Sequence, residues 1–325
     1  MRSRLHGLDA LRGIAALSVA LHHLGRLYGG SGPPLLPSVA VDLFFILSGF
    51  VMARTYEARM ADGMTTAHFI GIRYRRLFLP LAIGSTFGLC WAVLRFGASS
   101  ELVLAYALTL AFMPAFWMSN AFIINGPAWS LFVEIIANGL HGAIFGKLSK
   151  GALLLLWVIV SAVFCTTFLA GISHWAPGIV AIASLVPREL SCYMMGILLF
   201  RQWGDAPLGS HGGVAIAVFP LLLLVAVINP WVELATVLIA APLVVRASLS
   251  LQNAQWAVWL GALSYPLYAS HMPVIRLAVL AGLPPIVALA FAIGVAWVVT
   301  GVFERGRKVS LGEVPVVAAA APQSG

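Results

Sequence analysis

Charge is what this sequence has least of. Asp, Glu, Lys and Arg make up 9% of its 325 residues, 11 acidic and 19 basic, where a soluble chain carries about a quarter of its residues charged. Hydrophobic residues reach 61% and the mean hydropathy is +0.98. That balance excludes a water-soluble globule and a disordered chain. It also argues against a nucleic-acid partner as the reason for the net charge of +8, because in a polytopic membrane protein Lys and Arg collect in cytoplasmic loops. Cysteine is scarce too: Cys90, Cys165 and Cys192 each sit in an apolar run, which supports neither a disulfide framework nor a thiolate metal site. The sequence holds no HExxH, no P-loop GxxxxGK[ST], no dinucleotide-binding glycine pattern and no fixed-period repeat.

What is there is a series of long apolar stretches. A spanning helix needs about 20 largely apolar residues, and such stretches lie near 8–28, 36–55, 77–97, 127–147, 152–172, 184–201, 213–229, 231–247, 256–280 and 284–304. The expected fold is all-α: a polytopic bundle of about ten transmembrane helices, with both termini cytoplasmic. Residues 1–308 form one membrane domain and 309–325 a short, mobile cytoplasmic tail. Asp9 and Arg12 interrupt the first stretch, and no small-x-small cleavage pattern closes it, so it reads as a helix and not as a signal peptide. With the N-terminus inside, only Arg26, Arg95, Arg188 and Arg276 fall on or near the outer side, and all other Lys and Arg fall inside. Counting 101–117 as a further span would reverse that bias downstream, so it is expected to be re-entrant or interfacial.

Ionisable groups within such helices are costly and mark function by default. On the first helix Arg12 and His23 are eleven positions apart, on one stripe and about 16 Å apart along the axis; His22 points away from that stripe. Asp42 lies near the outer end of the second helix, at the depth of His23. Two readings stand for that pair: a carboxylate orienting an imidazole base, or a structural ion pair between helices. The fourth span carries Ser130, Glu134, Asn138 and His141 on one stripe, as the wall of a cavity would. The ninth carries Ser264, Tyr268 and His271 beside Pro266. There Tyr268 and His271 either line the same cavity or satisfy the carbonyl that the proline leaves free. Arg73, Arg75 and Arg76 open the third span at the cytoplasmic boundary, either as a positive-inside anchor or as a phosphate site suited to the guanidinium fork.

The segments LDALRGIAALSVALHHL, VDLFFILSGFVM, RYRRLFLPL, PAWSLFVE and LGALSYPLYASHMPV, in that order, resemble the successive signatures of the acyltransferase-3 family of integral membrane O-acyltransferases, over residues 6 to 308. The resemblance implies transfer of an acetyl or other short acyl group from acyl-CoA to a hydroxyl of a surface polysaccharide, lipid-linked sugar or related glycan in the bacterial cytoplasmic membrane. It implies that Arg12 and His23 are the essential pair, that Arg73 and Arg76 take the acyl-CoA phosphates, and that Glu134 belongs to the active cavity. Asp42 and Tyr268 match motif positions. Two departures stand out: IIAN replaces the aromatic pair that often follows the Glu of the fourth span, and Glu304-Arg305-Gly306 replaces the usual Glu-x-Pro. The hydrolase-like domain that some members append is not in these 325 residues, which implies that transfer finishes in the bundle.

The expected site is therefore catalytic His23, Arg12, Asp42 and Glu134, with Arg73 and Arg76 for the donor. Ser130, Asn138, Tyr268 and His271 are expected around the acceptor. His23, oriented by Asp42 or Glu134, would act as base, and Arg12 would orient the donor or stabilise developing negative charge. A covalent relay through Ser48 or Ser130 stays open. The expected donor is acyl-CoA, acetyl-CoA foremost, as a co-substrate, with no permanently bound cofactor, no metal and no nucleic acid; the other partners are the glycan or glycolipid acceptor and the bilayer. A transporter or flippase for an anionic or lipid-linked substrate is the alternative, and a non-catalytic membrane scaffold a third reading.

Overall fold

The computed structural model describes residues 4–30, 35–171 and 179–310, with side chains described outside 179–184 and 303–310. Among these residues every regular element is helical. In chain order they are α1 His6–Leu27, α2 Pro37–Ala61, α3 Thr66–Phe96, α4 Ser100–Leu110, α5 Ala128–Ala143 with a 3-10 turn Phe145–Lys147, α6 Lys150–Leu169, α7 Ile179–Trp203 and α8 Gly212–Val225. There follow α9 Pro230–Ser248, which contains a π-helical stretch over Thr236–Ala240, then α10 Gln255–Leu280 and α11 Pro285–Ser310. Six of the described helices are long and apolar enough to cross a bilayer: α2, α3, α5 with its 3-10 turn, α6, α9 and the Pro285–Val302 part of α11. The tail expected over 309–325 falls, from residue 311 on, outside the described residues, as do the side chains of Glu304 and Arg305.

Local sequence sets the helix starts. Pro37 and Pro230 occupy the first turns of α2 and α9, where a missing N–H costs nothing. The Thr65, Ser99 and Ser149 side chains accept from His68, Leu102 and Ala152 N–H and so cap α3, α4 and α6. The cap at Thr65 brings a correction: α3 begins at Thr66 and not near residue 77. Arg73, Arg75 and Arg76 therefore lie two turns or more inside a helix. The segment 101–117 is no span: α4 is 11 residues long, about 16 Å, and the chain then turns at Phe112, whose φ is +59°.

Small residues decide which helices meet. Gly13 of α1 presses on Leu260, and Gly261 of α10 on Asp9 of α1, so a Cβ at either would collide. The same close contact joins α2 to α7 through Gly49 against the Tyr193 carbonyl and Gly196 against that of Ile46. Such contacts are how helices associate where lipid removes the hydrophobic drive. α10 is the central post, packed against α1, α3 and α11, and it is broken twice by proline. Pro273 removes the N–H that would reach the Ala269 carbonyl, and buried Asn125 supplies a substitute, its Nδ2 donating to that oxygen at 2.8 Å. Large apolar side chains such as Leu155, Ile159, Ile286 and Trp297 face outward from α6 and α11, as a lipid-facing surface requires.

Candidate active site

Six helices surround a cavity of about 210 Å³, α11 through Thr300 alone. α1 contributes Asp9 and Arg12, α2 Phe44, Ser48 and Val51, α3 Arg73 and Arg76, α5 Ser130 and Glu134, and α10 Ser264 and Tyr268. Arg4 stands at its rim, its Nε 2.6 Å from Asp9 Oδ2. The break at Pro266 helps to make this space: the Ala262 carbonyl loses its helical donor, and Ala262 is itself in the cavity wall.

The arginines of the cavity are not equivalent. Arg73 is buried and its Nη2 donates to Glu134 Oε1 at 2.6 Å, while Ser48 Oγ donates to the same oxygen at 3.3 Å. Half-buried Arg12 and exposed Arg76 carry no hydrogen bond or ion pair among the described residues; Arg75 is exposed too, but it does not line the cavity. Counting Arg4, Arg12, Arg73 and Arg76 against Asp9 and Glu134, the lining is cationic. Guanidinium groups left without carboxylates in such a place are built for an anion, and their fork suits phosphate.

The end of the cavity away from Arg4 is formed by Tyr268 and Phe44, whose rings meet edge to face at 5.5 Å. The Tyr268 hydroxyl bonds Ser130 Oγ at 2.8 Å. Of the two readings of Tyr268 and His271, satisfaction of the carbonyl freed at Pro266 is not the one their contacts show. Tyr268 turns to Ser130, and His271 Nδ1 contacts the Leu267 and Tyr268 carbonyls of its own helix at 3.0 and 2.9 Å. One turn beyond Tyr268, His271 Nε2 lies 3.0 Å from His23 Nδ1, the rings stacked with centroids 5.1 Å apart. Arg12 and His23 thus both face α10, as their shared stripe implies, but Arg12 lines the cavity and His23 sits past the Tyr268–Phe44 wall. His22 turns elsewhere, its Nδ1 donating to the Leu35 carbonyl at 3.1 Å.

Both carboxylates expected to orient His23 are engaged elsewhere. Asp42 is fully buried and takes a bidentate pair from Arg188, Nε to Oδ1 at 2.8 Å and Nη2 to Oδ2 at 2.6 Å. Arg188 also reaches Glu233 at 2.6 Å, and its guanidinium lies 5.3 Å above the Phe164 ring. The reason is rotation and not depth: Asp42 is seven residues from Gly49 and so shares the face of α2 that meets α7. Glu134 is held by Arg73 and Ser48 at the other end of the cavity. Asn138 and His141 leave the cavity as well: Asn138 Oδ1 accepts from Tyr193 at 3.2 Å, His141 Nδ1 bonds that same hydroxyl at 3.0 Å, and His141 Nε2 faces Glu57 at 3.3 Å. The lower half of the α5 stripe therefore ties α5 to α2 and α7. Sequence reasoning missed the His23–His271 pair and the role of Arg188; for Arg188 the signal was an Arg-Glu pair inside an apolar helix.

Against known proteins, the family model described as an acyltransferase domain, acyltransferase-3, matches residues 5–303. "Protein 2 in picA locus" of Rhizobium radiobacter is 34% identical over 152 residues, 41% of this chain and 78% of that protein. The "Putative membrane-bound transacylase BcsY" of Komagataeibacter xylinus is 31% identical over 123 residues, 37% of this chain and 29% of that protein. The match thus spans less than a third of the second relative's length. No solved structure matches the chain.

Proposed function

The chain belongs to the acyltransferase-3 family, and from that premise we propose that this integral membrane acyltransferase moves an acetyl or other short acyl group from cytoplasmic acyl-CoA to a hydroxyl of a surface polysaccharide, lipid-linked sugar or related glycan, in the bacterial inner membrane. The observation that carries the reading is the pair of guanidinium groups without partners, Arg12 and Arg76, in a cationic cavity whose far wall adjoins a two-histidine pair. A donor with phosphates at one end of a narrow arm and a thioester at the other would meet guanidinium groups at the first end and the histidine pair at the second. Its phosphates lie against Arg76 and Arg12, with Arg73 held in place by Glu134. Its arm runs along Ser48 and Ser264 towards Tyr268. Acyl-CoA is then a co-substrate, and both chain ends lie on the cytoplasmic side.

His23 is the base. As the acceptor oxygen bonds to the acyl carbonyl, its proton passes to His23; the tetrahedral intermediate then breaks its C–S bond, and the proton goes on to the departing thiolate. Ester and free CoA are the products. The imidazolium exists only while the oxyanion does, so the two charges form and vanish together. Direct transfer is favoured over a serine relay. The carboxylate nearest Ser48 is tied to Arg73, and Ser130 Oγ lies 3.0 Å from the Pro127 carbonyl besides meeting Tyr268.

The test is acyl-CoA turnover by purified protein in nanodiscs with cell-envelope glycan as acceptor. Envelope-dependent release of CoA is expected, and it disappears in folded His23→Ala. Absence of both CoA release and acyl-CoA binding across several acyl donors would overturn the reading and make solute flux the next measurement.

A further inference from the structure

With Asp42 and Glu134 engaged elsewhere, His23 needs another group to set its tautomer, and the proton positions around His271 supply one. Carbonyl oxygens only accept hydrogen bonds, so the close contacts of His271 Nδ1 with the Leu267 and Tyr268 carbonyls require a proton on that nitrogen. His271 is fully buried, and no described carboxylate is bonded to it. A second proton would leave an uncompensated charge in an apolar interior, so His271 Nε2 is a bare lone pair. That lone pair faces His23 Nδ1 at 3.0 Å. Two lone pairs do not approach so closely, and His23 Nδ1 therefore donates. A neutral imidazole has one N–H, which leaves His23 Nε2 as the lone pair directed away from α10.

We propose that His271 is a positioning residue: through its back-bonded Nδ1–H and bare Nε2 it locks His23 in the Nδ1–H tautomer and presents His23 Nε2 as the base towards the acceptor hydroxyl. The proposal rests on the reading of His23 as base. It assigns to a second histidine the part that an aspartate plays beside many catalytic imidazoles. The difference is chemical. A neutral acceptor orients the ring without adding a negative charge, and the basic neighbours His22, Arg26 and Arg276 disfavour a further proton on either ring of the resting pair. The locking is inherited from the backbone of α10, because the two carbonyls that fix the His271 proton are those of the turn beginning at Leu267, just after Pro266.

The experiment pairs a tautomer readout with kinetics, both on the full chain in nanodiscs. Solid-state ¹⁵N NMR of histidine-labelled protein, with the His23 signal assigned by its loss in His23→Gln, should show the Nδ1–H tautomer at His23. In His271→Phe, which keeps a ring but offers no acceptor, His23 should shift to a mixture. Turnover in His271→Phe should fall about 100-fold with the KM for acyl-CoA unchanged, since His271 does not line the donor cavity. His271→Gln, whose carbonyl oxygen offers a lone pair, should recover part of the loss. An Nε2–H tautomer at His23 in the unaltered protein overturns the proposal whether or not the variants fold, and so does folded His271→Phe with wild-type turnover. Wild-type turnover in His23→Ala overturns the base reading itself, a result separate from the tautomer, which the NMR reads independently.

Discussion

Arginine meets the two faces of α2 in opposite ways. On the face towards α7, Arg188 meets Asp42 in two hydrogen bonds and Glu233 in a third, with the Phe164 and Phe168 rings beneath it. On the face that bears Ser48, Arg12 and Arg76 border a cavity without a carboxylate of their own, while Arg73 is paired with Glu134 and Arg4 at the rim with Asp9. The same guanidinium is a tie between helices where the protein supplies its counter-ions and a binding group where it withholds them. Composition cannot tell these apart, because both kinds lie in apolar helices. The counter-ion decides.

Removing the cation from each face is the strongest way to break that comparison. Arg188→Leu strands Asp42, Glu233 and the neighbouring buried Glu189, and loss of one partner of a buried pair costs about 3–5 kcal/mol. Arg12→Leu takes away no hydrogen bond and relieves an unpaired charge. Thermal unfolding of the two purified variants in one detergent should show a large loss for Arg188→Leu and little change for Arg12→Leu. Equal losses would mean that Arg12 is structural too.

Activity sharpens the contrast at the next scale. Each phosphate contact made by a guanidinium contributes about 1.5–3 kcal/mol, so Arg12→Ala and Arg76→Ala should each lower kcat/KM for acyl-CoA by about 10- to 100-fold. Arg75, exposed like Arg76 but off the cavity, should tolerate alanine. A loss in Arg75→Ala as large as that in Arg76→Ala would show a general charge effect and would remove the cavity from the argument.

How much of this was legible in the sequence follows from what each quantity depends on. Helix positions depend on run length and hydropathy, which are local, and α1, α2 and α5 to α11 lie within a few residues of the stretches read from sequence. α3 is the exception, because the basic residues 73–76 look like a membrane boundary while the cap at Thr65 sets the start. The stripe joining Arg12 and His23 needs only one helix's own geometry and is recovered. The partner of Asp42 needs the rotation of two helices, fixed here by Gly49 and Gly196, and depth alone pointed to the wrong neighbour. The pairing of His23 with His271 joins residues 248 apart in sequence, and nothing local encodes it.

The smallest test bears on the wall between the two halves of the site. Tyr268→Phe removes one hydroxyl, and the Ser130 hydroxyl it leaves still has the Pro127 carbonyl at 3.0 Å. No buried donor is stranded, so the stability loss should stay within about 0.5–1.5 kcal/mol, that of a single neutral hydrogen bond. The ring keeps its edge-to-face contact with Phe44, and His271 keeps its bond to the Tyr268 backbone carbonyl, which the substitution does not touch. Turnover should therefore change by less than about tenfold, whereas Tyr268→Ala removes the ring, opens the cavity towards His271 and should lower both stability and turnover further. If Tyr268→Phe were instead as inactive as His23→Ala while remaining folded, the hydroxyl would be acting on the reacting atoms, and the wall between the guanidinium cavity and the histidine pair would itself be part of the chemistry.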